Sequence, residues 1–248
     1  MLSVDRRQKI SEIVKEKKFI TVNELASLLE VTGETIRRDL KYLDDRGELS
    51  RAHGGAYIRS YDVDIHYRET KMVEAKQHIA QICRGFIKEN DVVFLDSSTT
   101  ALEIAKTFLD VNLTVVTNSL VITNFLVAQP NIKTVTIGGN LDLRNLCFSG
   151  PATVSEVGRY YTQKCFISCR TLSSVHGAMD SNELLAQVRA IAVKNSNEAF
   201  LVADSTKFDD MSLCPIAPME SFSALVTEKK PHETWQNLAK EKNFRLIY

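Results

Sequence analysis

At 248 residues the chain is longer than a typical single domain, so two domains are expected. Its 31 Lys/Arg and 31 Asp/Glu give a formal net charge of zero, which excludes attachment to polyanions by bulk charge; nucleic-acid binding would have to come from a local basic face. No apolar run reaches the length of a membrane span, the first 20 residues are rich in charge, and the five cysteines fit no disulfide framework, so a reducing cytoplasm is the expected setting.

Residues 5–17 carry Ile10, Ile13 and Val14 at helical spacing. Val22, Leu25, Leu28 and Leu29 continue the pattern in a second short helix, with Thr21 and Glu24 spaced as a capping box. Glu30-Val31 makes a turn, and Thr32 is placed to cap a third helix. In that third helix Ile36, Leu40 and Leu43 share one face, and Glu34, Arg37, Arg38, Lys41 and Asp45 share the opposite one. Gly47 suits the helix end. Glu48–Arg51 reads as a strand, Gly54-Gly55 as a tight turn and Ala56–Ile58 as the return strand. Three small helices followed by a hairpin are a winged helix-turn-helix. Two adjacent arginines early in its third helix stand where a recognition helix meets the major groove. Thr35, Arg37, Arg38, Lys41, Arg51, His53, Gly54 and Gly55 are therefore the candidate DNA contacts. The plainer reading makes the helix face merely solvated and His53 merely structural. Residues 1–60 hold 12 Lys/Arg against 10 Asp/Glu, so the reading rests on that one face.

Residues 59–72 are polar and aperiodic and read as a linker. From residue 73 short apolar runs alternate with helical patterns. Strands are expected at 92–95, 114–116, 133–137, 164–168, 199–203, 223–227 and 244–247, which together make a mostly parallel α/β sheet. Ligands of such sheets sit at the carboxyl ends of the strands. There the chain places Asp96, Ser97, Ser98, Thr99 and Thr100, then Thr117, Asn118 and Ser119, then Gly138 and Gly139, and finally Asp204 and Lys207. Hydroxyls, backbone N–H groups and an ammonium at several strand ends fit a phosphorylated ligand, with Asp96 and Asp204 available to sugar hydroxyls. Each motif alone also serves simply as a helix cap. Cys165 and Cys169 have no accompanying His or Cys cluster and read as buried thiols, not metal ligands.

The N-terminal segment resembles the DeoR-type family of bacterial transcription repressors, on Arg7, Ile10–Val14, Leu25-Ala26, Thr35-Ile36-Arg37-Arg38-Asp39-Leu40, Gly47 and Arg51–Ala56. The larger segment resembles the sensor domain of the same family, which is similar in fold to ribose-5-phosphate isomerase and glucosamine-6-phosphate deaminase. The residues that carry this are Lys76, Ile79, Asp96–Thr100, Thr117–Ser119, Gly138-Gly139, Phe166–Arg170, Asp180–Glu183 and Asp204–Phe208. The resemblance implies a repressor of sugar-catabolism genes, bound to double-stranded operator DNA and released by a phosphorylated sugar or related metabolite; a homodimer or homotetramer is expected because one winged helix reads too few base pairs for genomic selectivity. It adds Arg170 to the effector residues and implies no catalytic residue, cofactor or metal. Five positions depart from the family pattern. Thr32 replaces serine, Ser98 and Thr171 replace glycine, and Leu185 and Gln187 replace acidic residues. A sugar-phosphate isomerase or deaminase carrying an accessory winged helix is the rival reading, but no general base is apparent. A winged helix used for protein contacts is a third.

Overall fold

The computed structural model divides the chain into two units, residues 1–63 and 64–248, and describes residues 3–17, 19–45, 49–52, 55–57 and 65–248. In the first unit α1 (Ser3–Lys17), strand β1 (Phe19–Thr21), α2 (Val22–Leu29) and α3 (Gly33–Asp45) precede the hairpin strands β2 (Ser50–Ala52) and β3 (Gly55–Tyr57). The three strands pair antiparallel in the order β1-β3-β2, with Ile20 opposite Ala56 and Arg51 opposite Ala56 on the other side. The third strand of this wing, β1, has no sequence signal because three residues are too few to show a period. Gly55 begins β3, where the sequence reading had put it in the turn. Gly47, Glu48, His53, Gly54 and Ile58 lie outside the described residues.

The local caps follow the sequence. Thr21 Oγ1 accepts from the Glu24 backbone N at 3.2 Å while the Thr21 N donates to Glu24 Oε2 at 2.8 Å, a reciprocal capping box. Glu30 ends α2 in the left-handed region at φ 53°, and Thr32 Oγ1 then accepts from Thr35 N at 3.3 Å. Ile10, Val14, Ile20, Leu25, Ile36, Leu40, Leu43 and Leu49 form the buried mini-core.

The second unit opens with α4 (Ile65–Glu69) and α5 (Val73–Arg84). There follow β4 (Val92–Leu95), α6 (Thr99–Ala105), β5 (Leu113–Thr117), α7 (Leu120–Leu126), β6 (Ile132–Thr136), the hairpin β7 (Asn140–Asp142) and β8 (Cys147–Ser149), and α8 (Pro151–Val157). The chain continues through β9 (Thr162–Ile167), β10 (Thr171–Ser173), β11 (Gly177–Asp180), α9 (Glu183–Lys194), β12 (Ser196–Val202), β13 (Cys214–Ala217), β14 (Ala224–Val226), α10 (Glu233–Glu241) and β15 (Arg245–Ile247). Seven strands form one sheet in the order β15-β14-β12-β9-β4-β5-β6, with every neighbouring pair parallel. Successive side chains feed opposite layers. Phe94, Val116, Ile167 and Leu201 join one core with Trp235; Val93, Leu95, Val115, Phe166 and Phe200 join the other. Burial on both faces is why these strands read as continuous apolar runs.

Two features differ from the sequence reading. Residues 65–69 of the expected linker form α4, and its Ile65 is buried. A small antiparallel sheet, β10-β11-β13, and the β7–β8 hairpin add to the parallel sheet. Among the described residues no helix is long and apolar enough to cross a membrane.

Candidate functional site

In α3 the apolar stripe is buried and Arg37, Arg38 and Lys41 are exposed, as the periodicity predicts. Arg37 Nη1 lies 3.5 Å from Glu34 Oε2, an exposed pair of little energetic weight. Thr35 is half-buried beside its cap. Asp39 departs from the polar pattern: it is 1 % exposed and takes Arg6 Nε at 2.6 Å and Arg7 Nε at 2.7 Å, one on each carboxylate oxygen. The Arg7 guanidinium also lies 3.8 Å from the centre of the Tyr42 ring. Two arginines of α1 thus lock the roll of α3 about its axis, and with it the direction of Arg37 and Arg38. Sequence reasoning missed this role because the partners stand 32 and 33 residues away. Arg51 pairs with Ala56 across β2 and β3, and Gly55 with Ala52. His53 and Gly54 are outside the described residues.

Parallel pairing brings the carboxyl ends of all seven strands of the second unit to one edge of the sheet, and the expected effector residues lie along it. The structure gives several of them internal work. Asp96, 1 % exposed, accepts from Ser98 N at 3.0 Å on Oδ1, and from Ser168 N at 3.0 Å and Arg189 Nε at 2.7 Å on Oδ2. Arg189 in turn binds Asp180 through Nη1. Asp96, expected to meet sugar hydroxyls, thus stands in a buried Asp96–Arg189–Asp180 chain that ties β4, α9 and β11 together. Ser98 Oγ caps α6 by accepting from Ala101 N at 3.0 Å; Thr99 and Thr100 begin that helix, buried. Ser98 has φ −85°, so the glycine usual at this position is not required here. Ser97 bonds the buried Cys147 thiol.

Thr117 Oγ1 accepts from Ser119 N at 3.0 Å, and Ser119 Oγ caps α7 by accepting from Ile122 N at 3.2 Å. Asn118 donates Nδ2 to Phe148 O at 2.9 Å and leaves its buried Oδ1 without a hydrogen-bond partner among the described residues. An unmet buried acceptor costs roughly 1–3 kcal/mol, which a ligand hydroxyl would recover. Gly138 is exposed, and its carbonyl accepts from Thr153 Oγ1 at 2.8 Å. Gly139, at φ 147°, is required: a Cβ there would meet Thr153 Oγ1 at 1.9 Å.

Asp204 caps the short 3-10 turn Ser205–Lys207, accepting from Thr206 N at 3.0 Å. The half-buried Lys207 ammonium donates to no described residue. Burial lowers the Lys207 pKa, Asp204 opposes that, and the charges of Arg170 and Arg68 lower it further. Arg68 responds in the same way: burial lowers its pKa first, then the like charges of Arg189 and Arg170. Arg68, Arg170 and Lys207 therefore share one electrostatic neighbourhood with the carboxylates of Asp96, Asp180 and Asp204. Arg68, Asn145, Asp180 and Arg189 were absent from the sequence-derived site.

The departures from the family pattern are accommodated. Thr171 Oγ1 bonds Ser212 Oγ at 2.9 Å with both residues buried, Leu185 is in the core, and Gln187 bonds Glu183 on the exposed face of α9. Cys165 and Cys169 are buried, and burial pushes both thiols up to about 12.

Residues 71–229 match the family description "DeoR C terminal sensor domain", and residues 6–61 match "DeoR-like helix-turn-helix domain". The HTH-type transcriptional regulator YulB of Bacillus subtilis is 38% identical over 92% of this chain and 90% of its own length. The L-fucose operon activator of Haemophilus influenzae is 31% identical over 98% of each chain. The HTH-type transcriptional repressor CsqR of Escherichia coli is 27% identical over 98% of this chain and 94% of its own. Among solved structures, ribose 5-phosphate isomerase A of Methanocaldococcus jannaschii aligns over 55% of this chain and 54% of its own, with 16% identity and a TM-score of 0.40, too slight to carry an argument.

Proposed function

This chain belongs to the DeoR family of transcriptional regulators, and from that premise we propose that it is an operator-binding repressor of sugar-metabolism genes released by a phosphorylated sugar. The relatives similar in sequence are transcriptional regulators, not enzymes. On the DNA side, Arg37, Arg38 and Lys41 project from one exposed face while Asp39 fixes the helix behind them. Guanidinium forks presented in this way suit guanine edges in the major groove. One winged helix reads too few base pairs for genomic selectivity, so the working unit is a homodimer or homotetramer on repeated half-sites.

The observation that carries the effector reading is the Lys207 ammonium, half-buried beside Asp204 and Arg170 and without a hydrogen-bond acceptor among the described residues. A phosphate supplies that acceptor. The carboxyl ends of β12 and β4 lie on either side of β9, so they are separated by roughly 10 Å. A phosphate beside Lys207 therefore leaves the sugar hydroxyls to the ends of β4 and β5, where Asn118 Oδ1 awaits a donor. Repression is the sign proposed; CsqR carries that word in its name, and the H. influenzae relative is named an activator.

Mobility shift of promoter DNA from genes beside its own, at two salt concentrations and with a panel of sugar phosphates, tests the reading. Salt-sensitive specific binding relieved by one sugar phosphate supports it; binding that no phosphorylated sugar alters defeats the effector assignment. Deletion of the gene raises target transcription if the protein represses, and a fall in transcription would reverse the sign.

A further inference from the structure

Glu34 is the second residue of α3. Among the described side chains of that helix Asp39 is buried on Arg6 and Arg7, Asp44 is half-buried, and Glu34 alone presents a carboxylate to solvent, 74% exposed. Arg37, one turn further on, folds back toward it. Its Nη1 lies 3.5 Å from Glu34 Oε2, and 3.8 Å from where a Cβ on Gly33 would stand. The acid and the guanidinium thus share the first turn of α3, on the face that also carries Arg38 and Lys41.

Part of this is local chemistry. A carboxylate in the first turn favours the positive end of the helix, and an exposed ion pair one turn apart adds little. Neither effect calls for an acid on a surface that must approach phosphates. On docking, that carboxylate loses its hydration and meets the negative charge of the duplex. A hydrogen-bond donor on the DNA offsets the cost, and in the major groove the donors are the amino groups of cytosine and adenine. A carboxylate only accepts, which suits cytosine N4. Adenine sets its amino group beside the N7 acceptor, a pair that an amide matches and a carboxylate does not. The N-terminal residues of a recognition helix are the ones that reach base edges. Heads 3.5 Å apart also match the step of about 3.4 Å between stacked bases.

We propose that Glu34 is a specificity-determining residue of the recognition helix, accepting from N4 of a cytosine stacked next to the guanine that Arg37 reads. The inference rests on the operator-binding reading given above and names one base of the operator. Arg37 leaves Glu34 for the guanine at small cost, because the free pair is exposed. Asp39 holds the roll of α3, so Glu34 and Arg37 face the groove together. Thymine or guanine at the cytosine position sets an acceptor oxygen against the carboxylate, so the wrong base is repelled as well as unrewarded.

The test uses the full chain and a library of duplexes with a randomised core. Preferred sites are selected with wild type, Glu34→Gln, Glu34→Ala and Arg37→Ala. Affinities for the selected duplex and its single-base variants are then read by fluorescence anisotropy at one salt concentration. Wild type is expected to fix a cytosine beside the guanine that Arg37→Ala ceases to select, and to lose about tenfold in affinity when that cytosine is replaced. Glu34→Gln is expected to move the preference there to adenine, whose N6 and N7 a glutamine amide matches, and Glu34→Ala to accept all four bases. If Arg37→Ala selects the wild-type site unchanged, the recognition-helix reading itself fails. If Arg37→Ala loses the guanine while both Glu34 variants keep the cytosine, that reading stands and the role of Glu34 is overturned. A Glu34→Ala protein that binds every duplex more tightly by one common factor, its preferences intact, also overturns it, since the carboxylate then acts through its charge alone. Should a Glu34 variant fail to fold, the wild-type selection still decides: a selected site with no cytosine beside a guanine overturns the assignment.

Discussion

Trp235 donates its indole N–H to Asp209 Oδ1 at 2.9 Å, two residues beyond Lys207. Asp209 stands in the left-handed region at φ 57°, its Oδ2 lies 2.6 Å from His232 Nε2, and the Phe208 ring meets Trp235 edge-on at 5.0 Å. The segment bearing Lys207 is thereby fastened to the start of α10.

Trp235 is the single tryptophan of the chain, so its fluorescence reports on that segment alone. A ligand that engages Lys207 is expected to change the emission of Trp235. A sugar phosphate that releases the operator with no change in emission would place its site elsewhere. Asp209→Ala is expected to cost about 1–2 kcal/mol of stability, measured by urea unfolding.

Arg37→Ala and Arg38→Ala should each weaken specific operator binding by ~1–3 kcal/mol and leave the melting temperature alone, since neither side chain enters the mini-core. Asp39→Ala should show the reverse order of effects. It strands Arg6 and Arg7, which are 13% and 23% exposed, and is expected to destabilise the unit by roughly 2–3 kcal/mol, below the range for fully buried pairs. Binding isotherms at one salt concentration beside thermal melts separate the two classes.

Lys207→Ala removes the charge proposed to meet the effector and leaves α3 untouched. The expected variant binds its operator and resists release. An operator-release titration with the inducing sugar phosphate reads this directly, and an unchanged midpoint would reduce the lysine to a solvated loop residue.

Asp96→Asn neutralises one carboxylate of the buried Asp96–Arg189–Asp180 chain. The expected loss is about 3–5 kcal/mol, seen as a lowered urea midpoint of the sensor unit. A variant of wild-type stability with altered effector preference would return Asp96 to the ligand.

Burial pushes Lys76 down to about 8 from its ordinary 10.5. Between those values the unfolded chain binds more protons than the folded one, so this group adds stability as pH rises through 8, and the gain is complete above 10.5. It amounts to roughly 3 kcal/mol. Other groups titrate in the same window. The measurable quantity is therefore the wild-type stability minus that of Lys76→Met between pH 7 and pH 10, expected to grow with pH.

The seven parallel strands are legible because burial on both faces leaves unbroken apolar runs such as Val92–Leu95 and Ala199–Ala203. The small antiparallel sheet is not, since its strands are three or four residues long and β13 contains Pro215. The same division runs through the candidate site. The cap roles of Thr21, Thr32 and Ser98 are local and can be read from neighbours three residues away. The work of Asp39 and Asp96 depends on arginines 33 and 93 residues distant, which no local pattern encodes. Arg68 escapes notice because its helix exists only through tertiary bonds to Arg144, Asn145 and Lys76.

The Thr171–Ser212 bond has an evolutionary corollary. These hydroxyls are both buried and spend themselves on each other. Glycine at 171 would strand the serine, and an apolar residue at 212 would strand the threonine. The two positions are therefore expected to covary among relatives. A lineage passing from glycine to threonine at 171 has an easier path if the hydroxyl at 212 is in place first, which sets the order in which the two substitutions are tolerated.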